Sequence, residues 1–254
     1  MKGVWAIARR ELGAYFATPL GWVCLGAWVL ITGFFFGWSM DLYSAVSLQT
    51  ASTPFGDPID VDAYLVAPFF GNWAVVLIFL CPALTMRLFS EDRRSGAYAL
   101  LAASPLTSSQ IVLGKYLGAL GFVIVALSCT LHYPVLLMRW ANPDVGVLIT
   151  SYLAIFLLAA SFLALGILAS SMSGNPVVAL LSSFAVLLVL WIMGIGEGAL
   201  DSGWRDWVSD VSMLPHAQSM MRGLVNTSDL VYFFSVIAVL LFATQQRVEQ
   251  ERWQ

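Results

Sequence analysis

Charged residues are scarce in this chain. Its 254 residues include 12 Lys or Arg, 15 Asp or Glu and 2 His, whereas 59% are hydrophobic. No polar stretch is long enough for a separate soluble domain, so we expect one membrane domain over residues 1–254. The three cysteines all fall inside apolar runs, and this placement offers neither a disulfide framework nor a paired-cysteine metal site.

The shortage of ionisable side chains argues against two kinds of activity. Intramembrane proteases and metal hydrolases need a nucleophile with a base, paired aspartates or clustered ligands, and this chain has no acid in its apolar runs and no H-E-x-x-H motif. Ion-coupled transporters usually carry an acid or a base inside the membrane. We therefore expect no catalytic residue, metal or cofactor in this chain, and an external energy source in place of an ion gradient.

What the chain does have is six long runs without Asp, Glu, Lys or Arg. They cover residues 19–40, 63–86, 116–138, 145–172, 176–195 and 230–244. A helix of about 20 residues crosses a hydrocarbon core about 30 Å thick, so the first five runs predict spans. The sixth, with roughly 15 residues, is short for one. The predicted fold is an all-α membrane protein with six transmembrane helices.

The basic residues predict the orientation of these helices. With the N-terminus in the cytoplasm, nine basic residues lie inside and three lie outside, which satisfies the positive-inside rule. The inner set is Lys2, Arg9, Arg10, Arg87, Arg93, Arg94, Lys115, Arg247 and Arg252, and the outer set is Arg139, Arg205 and Arg222. Both termini are therefore predicted to be cytoplasmic.

Residues 1–18 have the pattern of a helix that lies on the membrane surface. At helical spacing the apolar side chains form one stripe and the basic side chains fall outside it. The basic residues would face anionic head groups, and Pro19 would end the helix before the first span. The residues expected at this interface are Lys2, Trp5, Arg9, Arg10 and Glu11.

Residues 87–115 form a segment far longer than a connection between two spans needs. Ser90 is placed to cap a short helix whose first turn holds Glu91 and Asp92, near the positive end of the helix dipole. Thr107 and Gln110 fit a capping box that starts the next helix. This pattern indicates a docking surface for a cytoplasmic partner, against the plainer interpretation of a solvated charge cluster beside an apolar patch on the bilayer.

Residues 196–229 form an outer segment that is apolar as well as acidic. Its many large apolar side chains cannot all remain in water, so part of it is expected to enter the outer leaflet or to cap the bundle. Pro215 and Gly223 supply natural breaks, and a re-entrant pair would explain a short sixth span. His216 stands among methionines whose spacing fits a half-inserted amphipathic helix better than a copper site.

Two G-x-x-x-G pairs are signs of close helix packing. They are Gly33 with Gly37, and Gly114 with Gly118. Glycines at this spacing let two helix backbones approach in lipid. The pattern is also common by chance in glycine-containing spans, so it is weak evidence for a dimer contact.

Several stretches, taken in order, resemble ABC-2 type transporter permeases. Their coupling-helix region is similar to residues 90–101, 104–106 and 111–115, and their interfacial elbow helix is similar to residues 8–12 and 15–19. Their turn between the fourth and fifth spans is similar to residues 168–172 before Asn175. The tail at residues 214–216, 222–225 and 229–233 resembles the branch that includes gliding-motility and nitrous-oxide-reductase-maturation permeases.

The resemblance implies a six-helix permease of the bacterial cytoplasmic (inner) membrane. Such permeases work as dimers, with a second copy or a related permease, above two ATPase subunits that bind ATP and Mg²⁺. Each ATPase would dock on the loop between helices 2 and 3, and the outer segment would close the external end of the path. The implied ATPase-coupling residues are Glu91, Asp92, Arg93, Arg94, Tyr98, Leu100 and Leu101. The implied outer gate is Pro215, His216, Met220 and Gly223.

Two functions stay open on the sequence. The first is the permease subunit of an ATP-driven transporter, whose ATPase must be another chain because this one has no G-x-x-x-x-G-K-[ST] loop. The second is a non-transporting anchor or assembly subunit of a larger envelope complex, which needs no ATPase. A periplasmic or envelope accessory partner is compatible with either, and no nucleic-acid partner is expected. A charge-free interior suits lipid-like, amphiphilic or uncharged cargo better than a free ion.

Overall fold

The computed structural model of the protein describes residues 2–51, 60–96, 106–141, 143–196, 208 and 210–252. Within these ranges every regular element is helical, and six helices are long and apolar enough to cross a membrane. The helices are α1 (Lys2–Ala17), α2 (Pro19–Ala51), α3 (Ala67–Thr85, entered through a π-helical turn at Asp62–Val66), α4 (Ser90–Arg94), α5 (Ser108–Cys129), α6 (His132–Trp140), α7 (Val145–Met172), α8 (Pro176–Gly196), α9 (Met213–Met221) and α10 (Thr227–Arg252).

The sixth span is longer than its apolar run indicates. Helix α10 has 26 residues, so the prediction of a short sixth span is wrong. Polar and charged residues such as Gln245, Arg247 and Glu251 continue the helix beyond the apolar run. A helix needs no apolar side chains in the turns that leave the membrane, so the apolar window underestimated its length.

The third span is interrupted at Thr130 and Leu131, between α5 and α6. Pro134 explains the break, because a proline has no N–H to bond the carbonyl four residues earlier, which belongs to Thr130. Instead, the Thr130 carbonyl accepts from the Tyr133 N–H at 3.1 Å and from the Tyr152 hydroxyl of α7 at 2.9 Å. A tighter local turn and a neighbouring span therefore together satisfy the carbonyl that Pro134 cannot bond.

Helix α7 forms the centre of the bundle. In the most apolar stretch of each span, 78% of the residues of α7 are buried, against 61% in α3 and in α5–α6. The corresponding values are only 22% for α2 and 17% for α8 and for α10. These three outer helices keep apolar faces that their own chain does not cover.

Aromatic rings join the central helices to α2. The Trp28 and Trp73 rings lie 5.3 Å apart edge to face, and Trp73 and Tyr152 lie 5.7 Å apart in the same manner. The Trp28 indole N–H donates a hydrogen bond of 3.1 Å to the Ala126 carbonyl of α5. Buried indoles usually need such a partner, and this one fixes α2 against α5.

Helix α1 packs along the start of α5 through the glycines of the second G-x-x-x-G pair. A Cβ atom at Gly114 would lie 2.6 Å from the Ile7 Cβ, and one at Gly118 would lie 2.6 Å from the Glu11 Cβ. Real Cβ atoms do not approach so closely, so only glycine permits this contact. The pair at Gly114 thus serves packing within the chain. The Tyr15 hydroxyl adds a hydrogen bond of 2.8 Å to the Leu84 carbonyl of α3.

Candidate functional site at the predicted cytoplasmic end

The short helix α4 is held at its N-terminus by a serine from another span. The Ser170 hydroxyl of α7 accepts hydrogen bonds from the backbone N–H groups of Phe89 (3.1 Å) and Ser90 (3.3 Å). The same hydroxyl donates to the Met86 carbonyl at 3.1 Å. The prediction that Ser90 caps α4 is wrong, because its hydroxyl donates to the Met86 carbonyl instead. The acceptor that a helix N-terminus needs is supplied here by tertiary structure.

Lys115 lies at the centre of the site. Its side chain is 1% exposed, and its Nζ lies 2.6 Å from Asp92 Oδ2 and 3.0 Å from Glu11 Oε1. It also donates to the Leu88 carbonyl. An ammonium has three N–H donors, and these three acceptors use all of them. Lys115 therefore joins α5 to α1 and to α4.

Glu11 is the contribution of α1 to this site. The Arg10 guanidinium donates to the same Oε1 atom that accepts from Lys115. Burial alone would raise the pKa of Glu11, but the nearby Lys115 ammonium and Arg10 guanidinium outweigh burial and hold the pKa below its usual value. The carboxylate is therefore ionised at neutral pH. The sequence predicts that Glu11 lies at the membrane interface, whereas in the structure its side chain is turned into the bundle.

The end of α10 is the fourth element of the site. Arg93 Nη2 of α4 lies 2.7 Å from Glu251 Oε2, and Arg247 Nη2 lies 3.4 Å from Glu251 Oε1. Two residues earlier in α10, Glu249 accepts a hydrogen bond from the Ser108 hydroxyl at the start of α5. Opposite charges on α4 and α10 thus connect the predicted coupling segment to the last span.

The other two charged residues of α4 face an open groove. The groove has a volume of about 500 Å³ and lies between α4 and the turn that joins α7 to α8. It is lined by Met86, Arg87, Glu91, Arg94, Ser95, Asn175, Pro176 and Val177. The Asn175 side chain accepts from the Val177 N–H at 2.9 Å, which fixes the start of α8. Glu91 and Arg94 are therefore presented to the outside beside a fixed turn.

The remaining predicted coupling residues are Tyr98, Leu100 and Leu101, and they lie outside the described residues. Their assignment stays a prediction. The capping box predicted at Thr107 and Gln110 is present: Gln110 N donates to the Thr107 hydroxyl, and the Gln110 side chain accepts from the Thr107 N–H, each at 3.3 Å.

The predicted interfacial residues divide between two faces of α1. Trp5 is 71% exposed, and Arg9 and Arg10 are exposed beside it. Lys2 begins the helix. Glu11 alone is turned toward Lys115. The exposed face has the aromatic and basic composition that anionic head groups attract.

The predicted outer gate lies at the opposite end of the bundle. Three of its residues belong to α9 and the fourth follows that helix; they are Pro215, His216, Met220 and Gly223. His216 Nδ1 lies 2.7 Å from Asp229 Oδ1 at the start of α10, and Asp229 is 4% exposed. The His216 ring stacks on Tyr232, with the two ring centres 4.1 Å apart. This pair fixes α9 against the last span, while the gate role and the re-entrant path stay predictions.

Sequence reasoning missed the roles of Lys115, Ser170 and Glu251. The sequence places Lys115 on the inner face and within the stretch similar to the coupling-helix region, but it does not predict the burial of this side chain. The contacts of Ser170 with Ser90 and of Glu251 with Arg93 carry no local signal, because the partners lie 80 and 158 positions apart along the chain. Among the described residues, no three His, Cys, Asp or Glu side chains group as metal ligands. The expectation that this chain binds no cofactor stays a prediction.

Six apolar helices and a charged short helix anchored at one end define a multi-pass membrane protein. Residues 64–244 match the family described as ABC-2 family transporter protein. The match covers more than half of the chain, so the protein belongs to this family of transporter permeases, whose members generally pair with an ABC ATPase subunit. No curated protein matches the chain. The narrower likeness to gliding-motility and nitrous-oxide-reductase-maturation permeases stays a prediction.

Proposed function

We propose that this chain is the membrane subunit of an ATP-driven ABC transporter, coupled to separate ATPase subunits that bind ATP and Mg²⁺. The ATPase contacts the chain at α4 and at the segment that follows it. Two permease chains, either two copies or one copy with a related chain, form the translocation path. The membrane is the bacterial inner membrane, and both termini are cytoplasmic.

The observation that carries this proposal is the attachment of α4 to three other helices. Asp92 bonds to Lys115 of α5, Arg93 bonds to Glu251 of α10, and Ser170 of α7 caps the helix. A helix bonded in this way cannot move alone, so a displacement imposed on α4 reaches the spans. A solvated charge cluster would leave these side chains in water.

The exposed residues of α4 supply the proposed contact with the ATPase. The Glu91 side chain is 57% exposed, and its pair with Arg87 is loose, at 3.8 Å. Arg94 is also exposed and has no ion pair among the described residues. Exposed charges beside a groove of about 500 Å³ suit a partner that inserts a side chain or a helix end.

The proposed dimer would use the helices that the chain leaves uncovered. Only 22% of the most apolar stretch of α2 and 17% of those of α8 and α10 is buried. Large apolar side chains on these faces, such as Leu30 and Phe34 of α2, are exposed. Such faces require lipid or another subunit, and a second permease covers part of them in this proposal.

The test is recovery of an ATPase with the permease purified in mild detergent, together with stimulation of ATP hydrolysis. Glu91→Lys should reduce both readouts, because charge reversal at the contact replaces attraction with repulsion. Asp210→Lys is the matched control, since Asp210 is exposed at the opposite end of the bundle. A second variant with Asp at Leu100 and Leu101 examines the segment that follows α4.

Two results would count against the proposal. If Glu91→Lys recovers and stimulates the ATPase as well as the unmodified protein, α4 is not the contact. If no ATPase is recovered at all, the anchor or assembly role in an envelope complex is favoured. In that case neither substitution should change the composition of the purified complex.

A further inference from the structure

A second cavity lies at the predicted outer end of the bundle. It has a volume of about 650 Å³ and lies between α3, α8 and α9. Cavities of roughly 300–1,000 Å³ with apolar walls and a few polar groups are typical binding sites for small molecules. Its apolar wall is formed by Val75 of α3, Trp191 and Ile195 of α8, and Leu214 and Met221 of α9.

Three polar side chains converge on this cavity. They are Asn72 of α3, Gln218 of α9 and Arg222, which follows α9. Among the described residues, none of the three side chains has a hydrogen bond or an ion pair. Among the described residues that line the cavity, Arg222 is the charged one and none is acidic.

The position of Asn72 makes the lack of a partner informative. Asn72 lies ten residues after Asp62, which begins the second span, so its amide is about 15 Å along the helix at 1.5 Å per residue. A polar amide on the outer part of a membrane span needs a hydrogen-bond partner where it borders apolar surroundings. The cavity leaves room for a hydrogen-bond partner of the Asn72 amide, and Arg222 adds a positive charge to the same cavity.

The rim of the cavity is apolar where it faces outward. Val75 is 37% exposed and Ile195 is 65% exposed, one on each of the two spans that bound the cavity. These side chains face the hydrocarbon if the spans lie in a membrane, as their length and composition indicate. A ligand can therefore have a polar head in the cavity and an apolar chain across this rim.

We propose that this cavity binds an anionic phospholipid of the outer leaflet. Arg222 pairs with the phosphate, Asn72 and Gln218 donate hydrogen bonds to its oxygens or to the head-group hydroxyls, and an acyl chain passes between Val75 and Ile195. The positive charge of Arg222 favours an anionic head group over a cationic one. This inference is independent of the proposed function, because binding a lipid requires neither an ATPase nor transport.

The test is native mass spectrometry of the full chain in detergent with added phosphatidylglycerol, compared with phosphatidylcholine at the same concentration. We expect phosphatidylglycerol to bind preferentially. Arg222→Gln should weaken its binding by about tenfold, the effect of losing one charge-assisted hydrogen bond. Arg139→Gln is the matched control, because Arg139 is another exposed arginine of the predicted outer face that does not line the cavity.

A second variant tests the site without changing its charge. Val75→Trp places a larger side chain on the rim and should weaken phosphatidylglycerol binding while the variant keeps its thermal unfolding midpoint. Equal binding of both lipids, or undiminished binding in Arg222→Gln, would overturn the proposal. Displacement of the lipid by millimolar inorganic phosphate would also overturn it, since it would show a site for a free anion.

Discussion

Lys115 Nζ and Asp92 Oδ2 lie 2.6 Å apart and connect the base of the third span to the short helix α4. The lysine is 1% exposed and the aspartate side chain is 20% exposed, so the pair is shielded from water on one side only. Glu11 shares the same ammonium from α1. A pair in this position is more important for geometry than for stability, because removing two charges from water offsets much of their attraction.

Lys115→Met is expected to lower the free energy of unfolding by about 1–3 kcal/mol, because Asp92 would keep its charge and lose its donor, and Glu11 would keep only Arg10 as a donor. Thermal unfolding in detergent, followed by tryptophan fluorescence, measures the effect. Arg87→Met, which alters a side chain that is 47% exposed, should change the unfolding free energy by less than about 0.5 kcal/mol. Adding Asp92→Asn to Lys115→Met should cost less than the two single changes together. Strict additivity would show that the two residues do not interact.

The pH dependence of Glu11 has a definite sign. The folded protein lowers the pKa of Glu11, so its ionised form adds stability above the unfolded pKa of about 4.3. That stability is lost as the pH falls through the lower folded pKa. Glu11→Gln should therefore be less stable than the unmodified protein at pH 7, and the difference should shrink below about pH 4. Because other carboxyl groups also titrate there, the difference between the two proteins is the quantity to measure. A difference that stays constant from neutral to acidic pH would contradict the assignment.

The glycines of α5 should be intolerant of larger side chains. Gly114→Val or Gly118→Val would place new atoms against the Ile7 or Glu11 side chain and the backbone of α1, so we expect a loss of about 1–3 kcal/mol and release of α1 from α5. Limited proteolysis within residues 2–17 would detect the release. Gly37→Val is the control, because a Cβ there meets nothing within 4 Å. Equal protease resistance in all three variants would mean that α1 does not depend on this contact.

The predicted topology has its own test. A reporter that is active only in the cytoplasm should be active when fused after Gln254 or inserted near Ser95, and silent near Asp57 or Asp210. The physical basis is the excess of basic residues on one side of the spans. Reporter activity at Asp57 or Asp210 would contradict the predicted orientation or number of the six spans.

The spans and the start of α5 followed from local signals in the sequence. Residues 145–172 were predicted as the fourth span, and the helix is Val145–Met172. Such agreement is expected where a long apolar run is bounded by polar residues, because the membrane imposes helix and length together. The capping box at Thr107 is equally local, since its partners are three residues apart.

The mistakes arose where distant residues compete with local ones. Ser90 has the right type and place for an N-cap, but Ser170 from α7 takes that position. The apolar run of the sixth span ended before its helix did, because polar turns of α10 are stabilised by contacts such as Arg93 with Glu251.

The sequence by itself determined the class of the protein, the number of its spans and the charge difference between their ends. These properties depend on the composition of the chain and on the spacing of residues along it. The bilayer constrains both directly, because a span must be apolar and long enough to cross the hydrocarbon core. Tertiary structure alone decided that Lys115 is buried and that α1, α4 and α10 meet around it. The reason is that burial of a charge depends on which acceptors other helices bring within hydrogen-bond distance, and no local pattern specifies that arrangement.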